Sequence, residues 1–180
     1  MAGKVPFRKV VEYTIGGGWG KDEPFDQSLE VRVVRGTDFR SIAFGDYSTV
    51  PRRYEDSQRA TRRLLRVNDI VLEISGGSRN SNQSTGRTLF ITQRILEQLG
   101  EYVIPASFCR LIRVKESMVY PQFAFWSLQE MYQSGRASHY EHHSTGISNF
   151  QFEFFLDEEL VPLPPLPEQR AIAHILGTLD

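Results

Sequence analysis

The sequence predicts an α+β domain. Short β-branched or apolar runs bounded by Gly, Asn and Asp recur along the chain and read as strands. Residues 121–133 carry apolar side chains at helical spacing, and an apolar stripe of the same period closes the chain.

The elements follow in order. Residues 7–15 are amphipathic and stop at Gly16-Gly17-Gly18, which reads as a helix and its terminator. Residues 31–35 form a β-branched run ending at Gly36, a strand. Residues 57–65 read as a short helix with Ser57 as N-cap. Residues 70–74 read as a strand entered through Asn68-Asp69 and left through Gly76-Gly77. Residues 89–92 and 108–114 are further strands. In 121–133, Pro121 suits a first helical turn, Phe125, Leu128, Met131 and Tyr132 share a face, and Gly135 ends the helix. Residues 152–156 and 160–163 read as strands. Pro162, Pro164, Pro165 and Pro167 then make a stiff exit, so the chain divides into 1–161 and an appendage, 162–180. Pro167 fits the first turn of a last helix with Glu168 near its positive end. Ile172, Ile175, Leu176 and Leu179 follow at i, i+3, i+4 and i+7. A helix of about 14 residues is marginal alone and needs a partner, either its own domain or a coiled coil.

Composition narrows the class. At 180 residues the chain is about one domain, and 40% hydrophobic with 24% charged residues is ordinary for a globular protein. The single cysteine, Cys109, excludes a disulfide scaffold and a CxxC motif and suits a reducing compartment. No apolar run approaches the roughly 18 residues of a membrane span, and the N-terminus lacks a signal-peptide core. The expectation is a cytoplasmic chain with no membrane partner. Residues 1–90 hold 15 Lys and Arg against 11 Asp and Glu, whereas residues 91–180 hold 6 against 11. A mildly basic body with an acidic end is compatible with nucleic acid.

No complete catalytic set is visible. Gly16 and Gly20 are three residues apart rather than four, and Asp22 follows Lys21, so residues 16–21 are not a phosphate loop but a flexible loop able to approach a partner. His139, His142 and His143 lack HExxH order and a cysteine pair, which favours a polar loop over a metal site. Cys109 sits in an apolar run and reads as a buried residue. Ser75 has Glu73 where a nucleophile elbow needs glycine. Asp69 and Glu73 have no lysine beside them, as a nuclease would. No glycine motif for S-adenosylmethionine and no Asn/Asp-Pro-Pro-aromatic segment occurs. The chain is therefore expected to be no enzyme and to hold no metal or cofactor.

Binding features are stronger. Arg52, Arg53, Arg59, Arg62, Arg63 and Arg66 crowd fifteen residues, and guanidinium forks match phosphate oxygens and guanine edges. The loop 75–86 brings Ser78, Arg79, Asn80, Asn82 and Gln83, side chains that read bases or hold phosphates. Arg35 and Thr37, and Ser144, Thr145, Ser148 and Asn149, lie in similar polar, glycine-bearing segments.

The run Val161-Pro162-Leu163-Pro164-Pro165-Leu166-Pro167-Glu168-Gln169-Arg170-Ala171-Ile172-Ala173-His174-Ile175-Leu176 closely resembles the segment ending a target recognition domain in the specificity subunit of type I restriction-modification systems. Residues 7–18, 66–77 (with Asn68 where glycine is common) and 144–156 resemble the looser family pattern. The resemblance implies a twisted mixed β-sheet with flanking helices, followed by the start of a long coiled-coil helix. It implies a non-catalytic reader of one half of a two-part DNA sequence on double-stranded DNA. Its partners would be the modification subunits and, through them, the restriction subunit, with Ile172, Ile175, Leu176 and Leu179 as partner helix and room for a dimer. S-adenosylmethionine, ATP and Mg would belong to those partners. One recognition domain instead of two leaves open a fragment, a half-subunit, a domain fused to a single-chain restriction-methylation enzyme, or a module acting through the C-terminal helix.

Overall fold

A computed structural model describes residues 3–77, 85–144 and 147–178. The elements run β1 (Gly3–Pro6), α1 (Phe7–Val10), β2 (Val11–Gly16), β3 (Ser28–Val34), α2 (Phe39–Ala43), β4 (Arg52–Asp56), α3 (Ser57–Arg63), β5 (Ile70–Glu73), β6 (Ser75–Gly77) and β7 (Thr88–Phe90). They continue with α4 (Gln93–Leu99), β8 (Val103–Pro105), β9 (Cys109–Val114), α5 (Pro121–Gln133), β10 (Glu141–Ser144), β11 (Ile147–Phe150), α6 (Phe152–Glu158), β12 (Leu160–Leu163) and α7 (Leu166–Gly177). The α+β expectation holds.

The chain forms two compact units: residues 14–73 with 88–112, and residues 1–13 with 74–87 and 113–180. In the first, β3 is central in the order β4-β3-β8, antiparallel to β4 and parallel to β8. Val31, Val33, Ala60, Ile104 and Ala106 pack under it with Leu29 and Leu64. A four-stranded sheet has the order β2-β9-β5-β7, and every residue of β5 is buried. The second unit pairs β1 with β12 and orders β10-β11-β6. Its aromatic core joins Phe7, Tyr140, Phe150 and Phe155, with ring centroids 5.1–5.6 Å apart.

Three local expectations need correction. Residues 7–15 are not one helix: α1 ends at Val10 and β2 begins at Val11. Val11, Thr14 and Ile15 of β2 are β-branched and stiff at χ1, which favours the strand. Residues 152–156 form helix α6, not a strand, and bury Phe152, Phe155 and Leu156 at i, i+3 and i+4. The N-cap of α3 is Asp56, whose carboxylate accepts the Arg59 backbone N–H at 3.0 Å, and Ser57 is the first helical residue. The α5 bounds and the strand at β12 agree with expectation; Pro162 is tolerated in β12 because that strand pairs only with β1 among the described residues.

The exit motif has a structural job. Gln169 is 1% exposed. Its Oε1 accepts the Tyr120 N–H at 2.8 Å, and its Nε2 donates to the carbonyls of Pro164 at 2.8 Å and Met118 at 3.2 Å. One amide thus ties the start of α7 to the turn before α5, and Arg170 lies 5.7 Å from the Tyr120 ring. The appendage 162–178 therefore packs within the second unit.

Candidate nucleic-acid interface

Arg52, Arg53, Arg59, Arg62 and Arg63 sit on the consecutive elements β4 and α3, Arg66 follows in the next turn, and the cluster divides into two sets. Arg53 and Arg63 serve the protein itself. Arg53, with a side chain only 12% exposed, is ion-paired with Asp22, donates to the Trp19 carbonyl at 3.2 Å and lies 4.6 Å from the Trp19 ring. Arg63 donates to the Gly16 carbonyl at 3.1 Å and to Glu55 at 3.2 Å. Arg52, Arg59, Arg62 and Arg66 are exposed. Arg52 makes only a long contact, 3.9 Å, with Glu30. On α3, Arg59 and Arg62 stand three apart and so share one side of the helix, while Ala60 is buried beneath. The outer set can meet phosphates or base edges; the inner set fixes the strand and helix that carry it.

Arg35 is committed as well. It donates to both carboxylate oxygens of Asp38, at 2.9 and 2.8 Å, and to the Thr49 carbonyl at 2.6 Å. Asp38 is buried and also accepts from the Arg35 N–H and the Thr49 hydroxyl. Arg35 thereby anchors the turn holding exposed Thr37 to the segment leading into β4.

Ser144, Ser148 and Asn149 belong to the other unit. Ser144 and Ser148 are on paired strands β10 and β11, Ser148 is buried, and Asn149 accepts the Ser75 hydroxyl at 3.1 Å. Ser78, Arg79, Asn80, Asn82, Gln83, Thr145 and Leu179 lie outside the described residues. Cys109 is buried, as expected. His139 packs beside Tyr140 and Phe154, and no group of three metal-ligating side chains occurs among the described residues.

On α7 the apolar stripe splits. Gln169 and Ala173 face the unit's interior, Ile172 and Leu176 are half-buried, and Ile175 is 59% exposed. Ile172 and Leu176 border a cleft of about 630 Å³ together with Phe7, Phe123, Trp126 and Arg136. Arg136 pairs with both oxygens of Glu130 and with Glu159, while the Tyr140 hydroxyl donates to Glu159 at 2.7 Å. Burial and the Glu159 carboxylate push the Tyr140 hydroxyl well above its ordinary value.

The glycine segment differs from its expectation as a flexible loop. Gly17 and Gly18 donate to the Cys109 and Pro105 carbonyls, both at 2.9 Å, and a Cβ on Gly17 would overlap the Ala106 carbonyl oxygen. These glycines approach the protein's own backbone. Trp19 and Lys21, absent from the sequence-based binding set, stand out here; their signal was an aromatic and a cation embedded among glycines.

The architecture is an α+β one, with a β4-β3-β8 sheet of mixed pairing in one unit and a proline exit into a terminal helix in the other. The family described as type I restriction modification DNA specificity domain matches residues 55–180, and the chain belongs to that family. Solved structures share the fold across nearly all of the chain. The type I restriction-modification S subunit from M. genitalium matches with a TM-score of 0.63 at 14% identity, over 100% of this chain and 39% of that one. The HsdS subunit from Thermoanaerobacter tengcongensis matches with a TM-score of 0.63 at 17% identity, over 98% and 41%. A chain from a structure describing complex assembly and conformational transition of the type I R-M system matches with a TM-score of 0.59 at 16% identity, over 98% and 37%. This chain spans about two fifths of the length of these structures. No curated protein matches it. Among the described residues no helix is long and apolar enough to cross a membrane.

Proposed function

We propose that residues 1–161 recognise one half of a bipartite sequence on double-stranded DNA and direct the methyltransferase and endonuclease subunits of a type I restriction-modification complex to it. The domain carries no catalysis. S-adenosylmethionine, ATP and Mg act in the partner subunits. Residues 162–180 begin the spacer helix, with Ile172, Ile175, Leu176 and Leu179 toward a protein partner. The observation that carries the reading is the exposed Arg52, Arg59 and Arg62 set on β4 and α3, held from behind by Arg53 and Arg63. Such a set neutralises phosphates without needing an active site.

The test is duplex binding by the purified chain across a salt series. Affinity should fall steeply as salt rises, and Arg59→Ala or Arg62→Ala should each reduce the salt slope by about 1. Binding indifferent to salt would remove the arginine set from the interface. The exposed Ile175 side chain supports the partner helix: Ile175→Asp should abolish capture of the modification subunit while leaving duplex affinity unchanged.

A further inference from the structure

Residues 16–21 are tied down on two sides. Besides the Gly17 and Gly18 bonds to the 105–109 turn, Lys21 exchanges both backbone hydrogen bonds with Tyr54, at 2.8 and 2.9 Å. Gly20 has φ +69°, and a Cβ there would overlap the Tyr54 carbonyl. This backbone carries Trp19 outward, and the ring is 38% exposed with the Arg53 guanidinium against it. Beside it lies a cleft of about 530 Å³ bordered by Gly18, Trp19, Lys21, Phe25, Arg59 and Arg63. Two carboxylates also border it: Glu55 is ion-paired with Arg63, and Asp56 keeps its charge while capping α3 through the Arg59 backbone N–H. Lys21 and Arg59 have no ion-pair partner among the described residues. Lys21 lies over the Phe25 ring at 4.5 Å.

We propose that this cleft is a base-contacting site, in which Trp19 lies against a base of the bound DNA while Lys21 and Arg59 take the flanking phosphates. The inference rests on the DNA-recognition reading and adds a residue to it. An aromatic ring held in position before binding gives up little entropy on contact, and on a duplex an apolar side chain can meet a base edge or a thymine methyl in a groove. A protein partner would also favour Trp and Arg. Lys21, Arg59 and Arg63 outnumber Glu55 and Asp56 along the cleft, and that balance favours a polyanion.

The two tryptophans make the test direct, because in a Trp126→Phe chain Trp19 is the sole indole. That variant is titrated with mixed-sequence duplex DNA at low salt while indole emission is followed. Saturable quenching is expected. Trp19→Ala should weaken duplex binding about tenfold or more with the salt slope unchanged, and Trp19→Phe should keep most of the affinity. Lys21→Ala should lower the slope by about 1. Salt-sensitive binding with unmoved Trp19 emission and wild-type affinity in Trp19→Phe and Trp19→Ala would overturn the site and leave the DNA reading standing. If Trp19→Ala does not fold, the emission titration alone decides. No salt-sensitive duplex binding by any chain would overturn both, and quenching by the modification subunit instead would assign the cleft to protein.

Discussion

Asn68 has a φ of 75° in the turn before β5, where its N–H donates to the Ile91 carbonyl at 2.9 Å. Only Gly enters this left-handed region freely, and Asn follows it, so asparagine suits this turn. Asn68→Gly should be near neutral in chemical denaturation, while Asn68→Val should cost about 1–2 kcal/mol. A Val variant as stable as the native chain would contradict the geometry. Gln169 makes the opposite point. It lies between two charged residues, Glu168 and Arg170, yet is buried and satisfies one backbone donor and two acceptors. Gln169→Leu should cost about 2–4 kcal/mol, since the Tyr120 N–H and Pro164 carbonyl lose their partner. A loss below about 1 kcal/mol would mean water replaces the amide. The turn residue was legible in the sequence because its constraint is local; the glutamine was not, because its partners lie 5 to 51 residues away.

At the scale of elements, length and local pattern decided what could be read. Helix α5 spans 13 residues, enough for its 3–4 spacing to be unambiguous. Helix α6 spans only 7, and Phe152, Phe154 and Leu156 satisfy period 2 as well as Phe152, Phe155 and Leu156 satisfy the helix. Packing of Phe155 on Phe7 and Tyr140 settles it. Helix α2 spans only 5 residues, too few for a period to show; α4 is capped at its start by Thr92, whose hydroxyl accepts the Ile95 N–H, and ended by Gly100 at φ 99°. On α3 the cap is testable. Asp56→Ala should destabilise by about 1 kcal/mol, whereas Ser57→Ala should change stability by less than about 0.5 kcal/mol. The reverse order would restore Ser57 as the cap. Of the candidate interface, the β4–α3 arginines were legible as a dense run, but their division into an inner and an outer set depends on Asp22, Glu55 and Gly16, distant in sequence.

For the whole molecule, pH and charge give the remaining tests. Arg136 holds the Glu130 carboxyl below its ordinary value of 4.5, and Arg8 does the same for Asp157. A lowered carboxylate contributes stability that is fully present above its unfolded value and is lost as pH falls through the folded one. Thermal stability should therefore decline on acidification below about pH 4.5, and Glu130→Gln should lower Tm near neutrality yet flatten that decline. An unchanged acid limb in the variant would contradict the pairing.

Sequence reading on duplex DNA is the role proposed for the domain. The measurement that tests it most directly is selection of random duplex DNA at low salt by this chain and, in parallel, by the chain joined to a modification subunit. Enrichment of one short asymmetric motif, selected by the joined complex as well, is the expected result. Recovery of salt-sensitive DNA with no enriched motif in either format would contradict sequence reading and leave a backbone binder.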